Sequence, residues 1–314
     1  MKTILAALGA LCVLAVLPLA GLPEYYVSIS ITAFLFTVCA VGLNVVYGYL
    51  GLLSIAQAAF WGIGGYAAAI LVMDYGFSFW SALAMAGVLN AVLALIIGYP
   101  ALRLSSHSFV IVTLYFSLLV TLVSRDWTEV TRGPLGIPGL PAPDLFGYKF
   151  TTQVSFYYLS LVFMAVAIAF FYAFCSSRIG LVLRSIKQSE PLAKSQGVRT
   201  KPYKLLAFSV SAFFTAMAGA IFSFRLTLVD PLIFDFYYMQ AFLTMVIVGG
   251  AGTFWPVVVA GFIVTFIPEL LRFSNELRMV LFGVLLVAVV LVAPNGFGGW
   301  LKELRLKKLR AEFR

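Results

Sequence analysis

The chain has 314 residues, of which 62% are hydrophobic and 11% charged, with a formal net charge of +9. Mean hydropathy is +1.04, whereas soluble domains commonly carry roughly 25% charged residues, so a soluble globule is excluded. The apolar runs reach about 20 residues, the length of a membrane-crossing helix, while barrel strands would alternate over roughly 10. Each span must satisfy its own backbone hydrogen bonds, so the fold class is all-α and integral to a membrane.

Lys2 opens the chain and an apolar run follows to Leu22. That run is longer than the roughly 7–15 residues of a signal-peptide core, and no small-x-small cleavage site follows it, so it reads as a retained first span. Cys12 and Cys39 lack the small preceding residue of a lipoprotein site. With Cys175 they fall in apolar runs without metal-like spacing and read as packing residues.

Ten spans are expected, near 3–22, 26–47, 51–73, 79–99, 108–124, 154–176, 205–227, 237–253, 256–271 and 279–293. Over 42–73 the pattern is broken by Gly42, Gly48, Gly51, Gly62, Gly64 and Gly65. Such glycines permit close helix packing or a discontinuous segment beside a cavity, and both readings stand. Trp and Tyr near the span ends (Tyr25, Tyr26, Trp80, Trp127, Tyr157, Tyr158, Tyr237, Tyr238, Trp300) fit interfacial anchoring better than an aromatic ligand box.

An even number of spans puts both termini on one side. With the termini in the cytoplasm, 15 Lys and Arg lie inside and six outside, against three acids inside and nine outside. The positive charge is therefore topological and is no signal for nucleic acid. Outside, the loop 125–153 contains Gly133, Pro134, Leu135 and Gly136 in a run of prolines and glycines that favours a fixed, non-helical path. Its apolar content argues for order, and it reads as a docking or gating element or as a connection. The basic tail 301–314 reads as a topology determinant, with contact to acidic lipid headgroups as the other reading.

Several chemistries are missing. There is no G-x-x-x-x-G-K-[ST] phosphate loop, and G-G-A-G-T at 249–253 is too short and lacks the Lys. His107 is the single histidine, and no Asp, Glu, Lys or Arg lies at the centre of a predicted span. Ion-coupled transporters commonly need such groups, and a membrane hydrolase needs a reactive cluster. The driving energy must come from another molecule, or the protein is a passive channel.

The segment 178–204 weighs against a channel. It holds seven Lys and Arg and one acid, Glu190, between two apolar spans. Gly180 is expected to relieve the preceding span, with a short amphipathic helix over Leu181–Gln188. A second helix starts at Ser189-Glu190-Pro191, because Ser caps well, Pro suits the first turn and Glu is favoured at the positive helix end. Gly197 supplies a stop, leaving Leu192, Ala193 and Gly197 for a partner's groove.

Glu190, Ala193 and Gly197 form E-x-x-A-x-x-x-G, preceded by R-S-I-K-Q-S and followed by Y-K-L-L-A-F-S-V-S-A at 203–212. This region resembles the coupling segment of bacterial ABC-importer permeases for branched-chain amino acids. The blocks 42–66 and 245–261, with P-E-L-L-R at 268–272, agree, and the resemblance covers most of 30–295. It implies one transmembrane permease domain over 1–300, in the bacterial inner membrane, ending in the cytoplasmic tail. The implied partners are a second similar permease, two cytoplasmic ABC ATPases that bind ATP and Mg, and a periplasmic solute-binding protein. The chain itself needs no cofactor and is no enzyme. Arg184, Ser189, Glu190, Leu192, Ala193 and Gly197 are expected to meet the ATPase, and Gly133, Pro134, Leu135 and Gly136 the binding protein. Asn44, Ser54, Gln57 and Thr113 are the expected pathway contacts. The family often has His where Gln57 stands, and its outer loop more Gly, Ser and Thr. An ion-coupled transporter and a passive solute channel are the competing readings.

Overall fold

The computed structural model describes residues 9, 11–20, 23–103, 106–145, 147–270, 280, 283–284, 287 and 296–299. The last expected span, 279–293, and the basic tail lie almost wholly outside the described residues. Of the first span, residues 11–16 are helical and run into a 3₁₀ turn at Leu17–Ala20.

The other eight expected spans are helices: α1 Glu24–Asn44, α2 Gln57–Met73, α3 Phe79–Ala101, α4 Ser106–Asp126, α5 Gln153–Ser176, α8 Thr200–Leu226, α9 Phe236–Gly249 and α10 Trp255–Leu270. Two short helices, α6 Arg178–Gln188 and α7 Glu190–Ser195, stand between α5 and α8. Among the described residues six helical segments are long and apolar enough to cross a membrane, and two shorter apolar helices (Gln57–Met73, Trp255–Ile267) accompany them. The protein is a multi-pass, all-α membrane protein.

α1 occupies the centre. It is apolar on every side, as a helix surrounded by helices must be, and Ile31, Phe34, Leu35, Val38, Cys39, Val41 and Leu43 are fully buried. Around it stand α5, α8, α9 and α10, while α8 also crosses α2 and α3. The α2–α8 crossing depends on glycine: a Cβ on Gly64 would fall 2.1 Å from the Ala216 carbonyl oxygen, and one on Gly219 1.9 Å from that of Trp61. α4 is peripheral, with Ile111, Tyr115, Leu118, Leu119 and Leu122 all exposed.

Connections alternate between two ends of the bundle. One end gathers the turns after α1, α3 and α9 together with α6 and α7, and it holds Arg103 and the basic run 178–204 with Glu190 as the acid. The other holds Glu24, Asp74, Asp126, Glu129, Asp144, Asp230 and Asp235. There a two-residue strand, β1 (Ile137–Pro138), pairs antiparallel with β4 (Leu228–Val229), and β2 (Asp144–Leu145) pairs with β3 (Tyr148–Lys149). Trp80 Nε1 donates to the Asp144 carbonyl (2.6 Å), and Arg132 pairs with Asp74 (3.0 Å).

Three boundaries differ from expectation. The third span begins at Gln57, not near 51, because α1 widens into a π turn over Val45–Tyr49 and residues 50–56 run irregularly. Most of their N–H groups still find acceptors: Leu50 on Val45 O, Gly51 on Tyr47 O, Leu52 on Val46 O, Ile55 on Thr113 Oγ1 and Ala56 on Ser54 Oγ. The glycine-rich stretch thus combines a break in the helix at 50–56 with close packing at Gly64. α9 stops at Gly249, since Gly250 and Gly252 take φ of +96° and +93°. α8 starts at Thr200, so the first turn of a spanning helix reaches into what reads in sequence as a loop.

Candidate functional site

α6 begins at Arg178, not after Gly180. The chain leaves α5 at Ser177, whose ψ of 176° is extended and whose Oγ caps α6 by accepting from Ile179 N (3.2 Å). Gly180 lies inside the helix, tight against the Cys175 backbone. The amphipathic pattern then buries Leu183 and Ile186 and exposes Leu181, Arg184 and Ser185. α7 begins as expected. Ser189 Oγ accepts from Leu192 N (3.4 Å), Pro191 lies in the first turn, and Gly197 at φ +83° turns the chain so that Val198 N donates to Ala193 O.

Glu190 is not a free surface acid. Its carboxylate accepts from Lys204 Nζ (2.5 Å) and Thr200 Oγ1 (2.8 Å), both in the first turns of α8, and pairs with Lys194 (3.1 Å). Burial alone would push its pKa up, but the hydrogen bonds from Lys204, Thr200 and Lys194 outweigh it and bring it from 4.5 to about 2. A depressed carboxylate contributes stability that is complete above its unfolded value and is lost as pH falls through its folded value. The α7–α8 clasp is thus expected to be intact at pH 5 and above and to open between pH 4.5 and about 2. Hydrogen exchange of the 190–204 amides across that range checks this, and Glu190→Gln should already exchange at neutral pH as wild type does in acid.

α6 is fastened to α1. Lys187 Nζ donates to the Gly48 carbonyl in the π turn (2.7 Å), and partial burial lowers its pKa. The Arg184 guanidinium lies 4.7 Å from the centroid of the Tyr49 ring. Lys187→Met should cost roughly 1.5–3 kcal/mol, the range for a hydrogen bond to a charged group. A lower unfolding temperature together with faster hydrogen exchange at 45–52 is the expected outcome. Of the remaining expected contact residues, Leu192 is 62% exposed and Gly197 is exposed, while Ala193 is 5% exposed and faces inward. Ala193 therefore seats α7 on the protein and is not presented to a partner.

Asn44, Ser54, Gln57 and Thr113 are all 1% exposed or less, and each is engaged within the chain. Asn44 brackets the glycine turn after α9, donating to Thr253 O (2.7 Å) and accepting from Gly252 N (2.9 Å). Gln57 joins three helices: its Nε2 donates to Cys39 O (3.2 Å) and Thr215 Oγ1, and its Oε1 accepts from Ser211 Oγ (3.2 Å). Thr113 Oγ1 donates to Val110 O and accepts from Ile55 N, and Ser54 Oγ accepts from Ala56 N. In this conformation these four side chains fasten helices and irregular backbone together. Sequence reasoning missed Thr200, Lys204 and Lys187, whose partners are brought close only by the fold.

The family described as branched-chain amino acid transport system / permease component matches residues 25–290. The chain belongs to this family. The permease is 31% identical to the high-affinity branched-chain amino acid transport system permease protein LivM of Escherichia coli, over 86% of its own length and 69% of the relative's. It is 24% identical to LivH of Salmonella typhimurium, over 84% and 91% respectively. The ribose import permease protein RbsC of Haemophilus influenzae is 27% identical over 57% of this chain and 56% of its own. No solved structure matches the chain.

At the acidic end of the permease the outer loop is ordered. Arg132 and Gly133 take φ of 60° and 66°, Gly136 packs on the Val229 and Asp230 backbone, and Gly139 N and Leu140 N donate to Thr227 O. Gly133 and Gly136 are buried, while Pro134 and Leu135 form the exposed tip, Leu135 being 85% exposed. Of the four expected docking residues, two shape the backbone and two are presented.

Proposed function

We propose that this permease is one of two membrane subunits of an ATP-driven ABC importer in the bacterial inner membrane, carrying branched-chain amino acids or a related small organic solute. Residues 1–300 form its single domain of about ten spans, and 301–314 a basic cytoplasmic tail. A second, similar permease completes the pathway. Two cytoplasmic ABC ATPases bind ATP and Mg, and a periplasmic binding protein delivers solute to the tip at Pro134 and Leu135. The permease's likeness to both LivM and LivH of Escherichia coli, each a permease protein of a high-affinity branched-chain amino acid transport system, supports the solute class and a second permease.

The observation that carries this reading is the clasp at Glu190. An exposed short helix bearing Leu192 is tied by one carboxylate to the first turns of a spanning helix. α6–α7 serves as the coupling surface: Leu192 and Gly197 face the ATPase, Arg184 holds α6 against the Tyr49 ring of the π turn, and Ser189, Glu190 and Ala193 fix the helix that carries the exposed residues. Closure of the ATPase dimer pushes α7, Glu190 passes the displacement to α8, and Lys187 passes it to α1. Asn44, Ser54, Gln57 and Thr113 hold the spans around the pathway during that motion. The cycle is directional because ATP and loaded binding protein favour different conformations.

Reconstitution tests this. The two permeases and two ATPases in liposomes should take up leucine, isoleucine or valine only with ATP inside and binding protein outside. Uptake on an ion gradient alone, or leakage without ATP, would instead establish a secondary transporter or a channel.

A further inference from the structure

Between the end of α5, the roof made by α6 and the turn leading into α10 lies a cavity of about 310 Å³, lined by Tyr49, Tyr172, Ser176, Leu181, Arg184 and Phe254 among others. It sits at the basic end of the bundle. Arg184 is exposed, and no described carboxylate pairs with it. Glu190, the single acid of 178–204, is taken by Lys194 and Lys204. The guanidinium lies 4.7 Å from the Tyr49 ring centroid and donates a hydrogen bond to the Tyr49 hydroxyl, which holds it in place and leaves its other N–H groups for an oxyanion. The far wall is aromatic, with the Tyr172 ring centroid 5.4 Å from that of Phe254 and 5.6 Å from that of Trp255. Such rings mark the depth of lipid headgroups. From this wall both flanking helices continue into the membrane with exposed apolar side chains, Val162 and Val166 on α5 and Val259, Ile263 and Ile267 on α10.

We propose that this cavity binds a phosphate group, supplied by the headgroup of an anionic phospholipid whose acyl chains lie along α5 and α10. Arg184 pairs with the phosphate, the Ser176 hydroxyl stands at the rim, and Leu181 and Phe254 cover the glycerol. Basic pockets between helices on the cytoplasmic side are suited to such headgroups. The site is separate from the exposed tip of α7 at Leu192, and it does not depend on the solute carried.

The test uses the purified full-length chain, with native mass spectrometry and thermal unfolding as readouts. Phosphatidylglycerol and phosphatidylcholine of identical acyl chains are compared, with inorganic phosphate as a third probe. Wild type is expected to retain a tightly held phosphatidylglycerol and to unfold at higher temperature with it than with phosphatidylcholine. Arg184→Gln should weaken that binding by about tenfold, the loss expected on removing one charge-assisted hydrogen bond. Leu181→Trp, which fills the mouth and leaves the cation in place, should weaken it too. Lys201→Gln, an exposed charge outside the cavity, should not. Inorganic phosphate displacing or replacing the lipid would keep the site and assign its source to free phosphate. Equal retention of the two lipids, or undiminished phosphatidylglycerol on both cavity variants, overturns the proposal.

Discussion

Glu190→Lys is expected to reduce ATP-driven uptake to background while membrane insertion and helix content stay as in wild type. The substitution replaces the acceptor of three hydrogen bonds with a cation facing Lys194, Lys204 and the Thr200 hydroxyl. Lys204 keeps only 8% of its side chain exposed, so it would be left with an unpaired, desolvated charge beside a second one. Removing one partner of a fully buried pair costs roughly 3–5 kcal/mol. Glu190 itself retains 31% side-chain exposure, so solvent screening should bring the cost nearer 2 kcal/mol. That is enough to detach a six-residue helix without unfolding a bundle whose core lies elsewhere. Lys204→Met provides the graded comparison, because Lys194 and Thr200 still hold the carboxylate and uptake should fall only partly. Normal uptake by Glu190→Lys at normal expression would refute the transmission of force through this residue.

Gly219→Val is expected to remove folded protein from the membrane altogether. At the α2–α8 crossing the added Cβ would meet the Trp61 carbonyl oxygen at 1.9 Å, and Gly64 opposes the Ala216 backbone in the same way. Neither obstacle is a side chain that can rotate aside, so the two helices must separate, and Trp61, Phe60 and Phe222 lose their packing. Overpacking in a core usually costs about 1–3 kcal/mol, and a backbone clash that parts two spanning helices should exceed it. Because the first added carbon is already the obstacle, Gly219→Ala should be nearly as damaging. Expression level and a monodisperse gel-filtration peak are the measurements. A folded, active Ala variant would mean that the crossing is looser than this geometry.

The sequence carries the spans well where apolar runs meet clear punctuation. α3, α4 and α5 fall within two residues of expectation because Ser78, Ser106 and Thr152 stand just ahead of or at the start of the apolar runs. It carries boundaries poorly where hydropathy does not change at the break. Residues 50–56 are as apolar as a helix, and acceptors supplied by the π turn (Val45, Val46 and Tyr47 carbonyls) together with Thr113 and Ser54 make an irregular path tolerable there. Within the site, the Ser189 cap and the Gly197 stop are local chemistry and are legible. The inward face of Ala193 is not, since six residues are too few for a periodic signal. The polar residues of the spans were recognisable by type, but their roles depend on partners such as Thr253, 209 positions from Asn44, and Ser211, 154 from Gln57.

α8 has 27 residues and, at 1.5 Å per residue, is about 40 Å long, some 10 Å more than the hydrocarbon thickness of a bilayer. The charges of Lys201 and Lys204 place that excess in its first turns, at the basic end of the bundle. Its last residue is followed at once by Thr227 and β4, which bind the outer loop through Gly139, Leu140 and β1. One stiff rod therefore joins the two aqueous compartments. A tilt imposed at its foot is expected to displace the Pro134–Leu135 tip on the far side, so the ATPase and the binding protein proposed above would sense one another through a single piece of secondary structure.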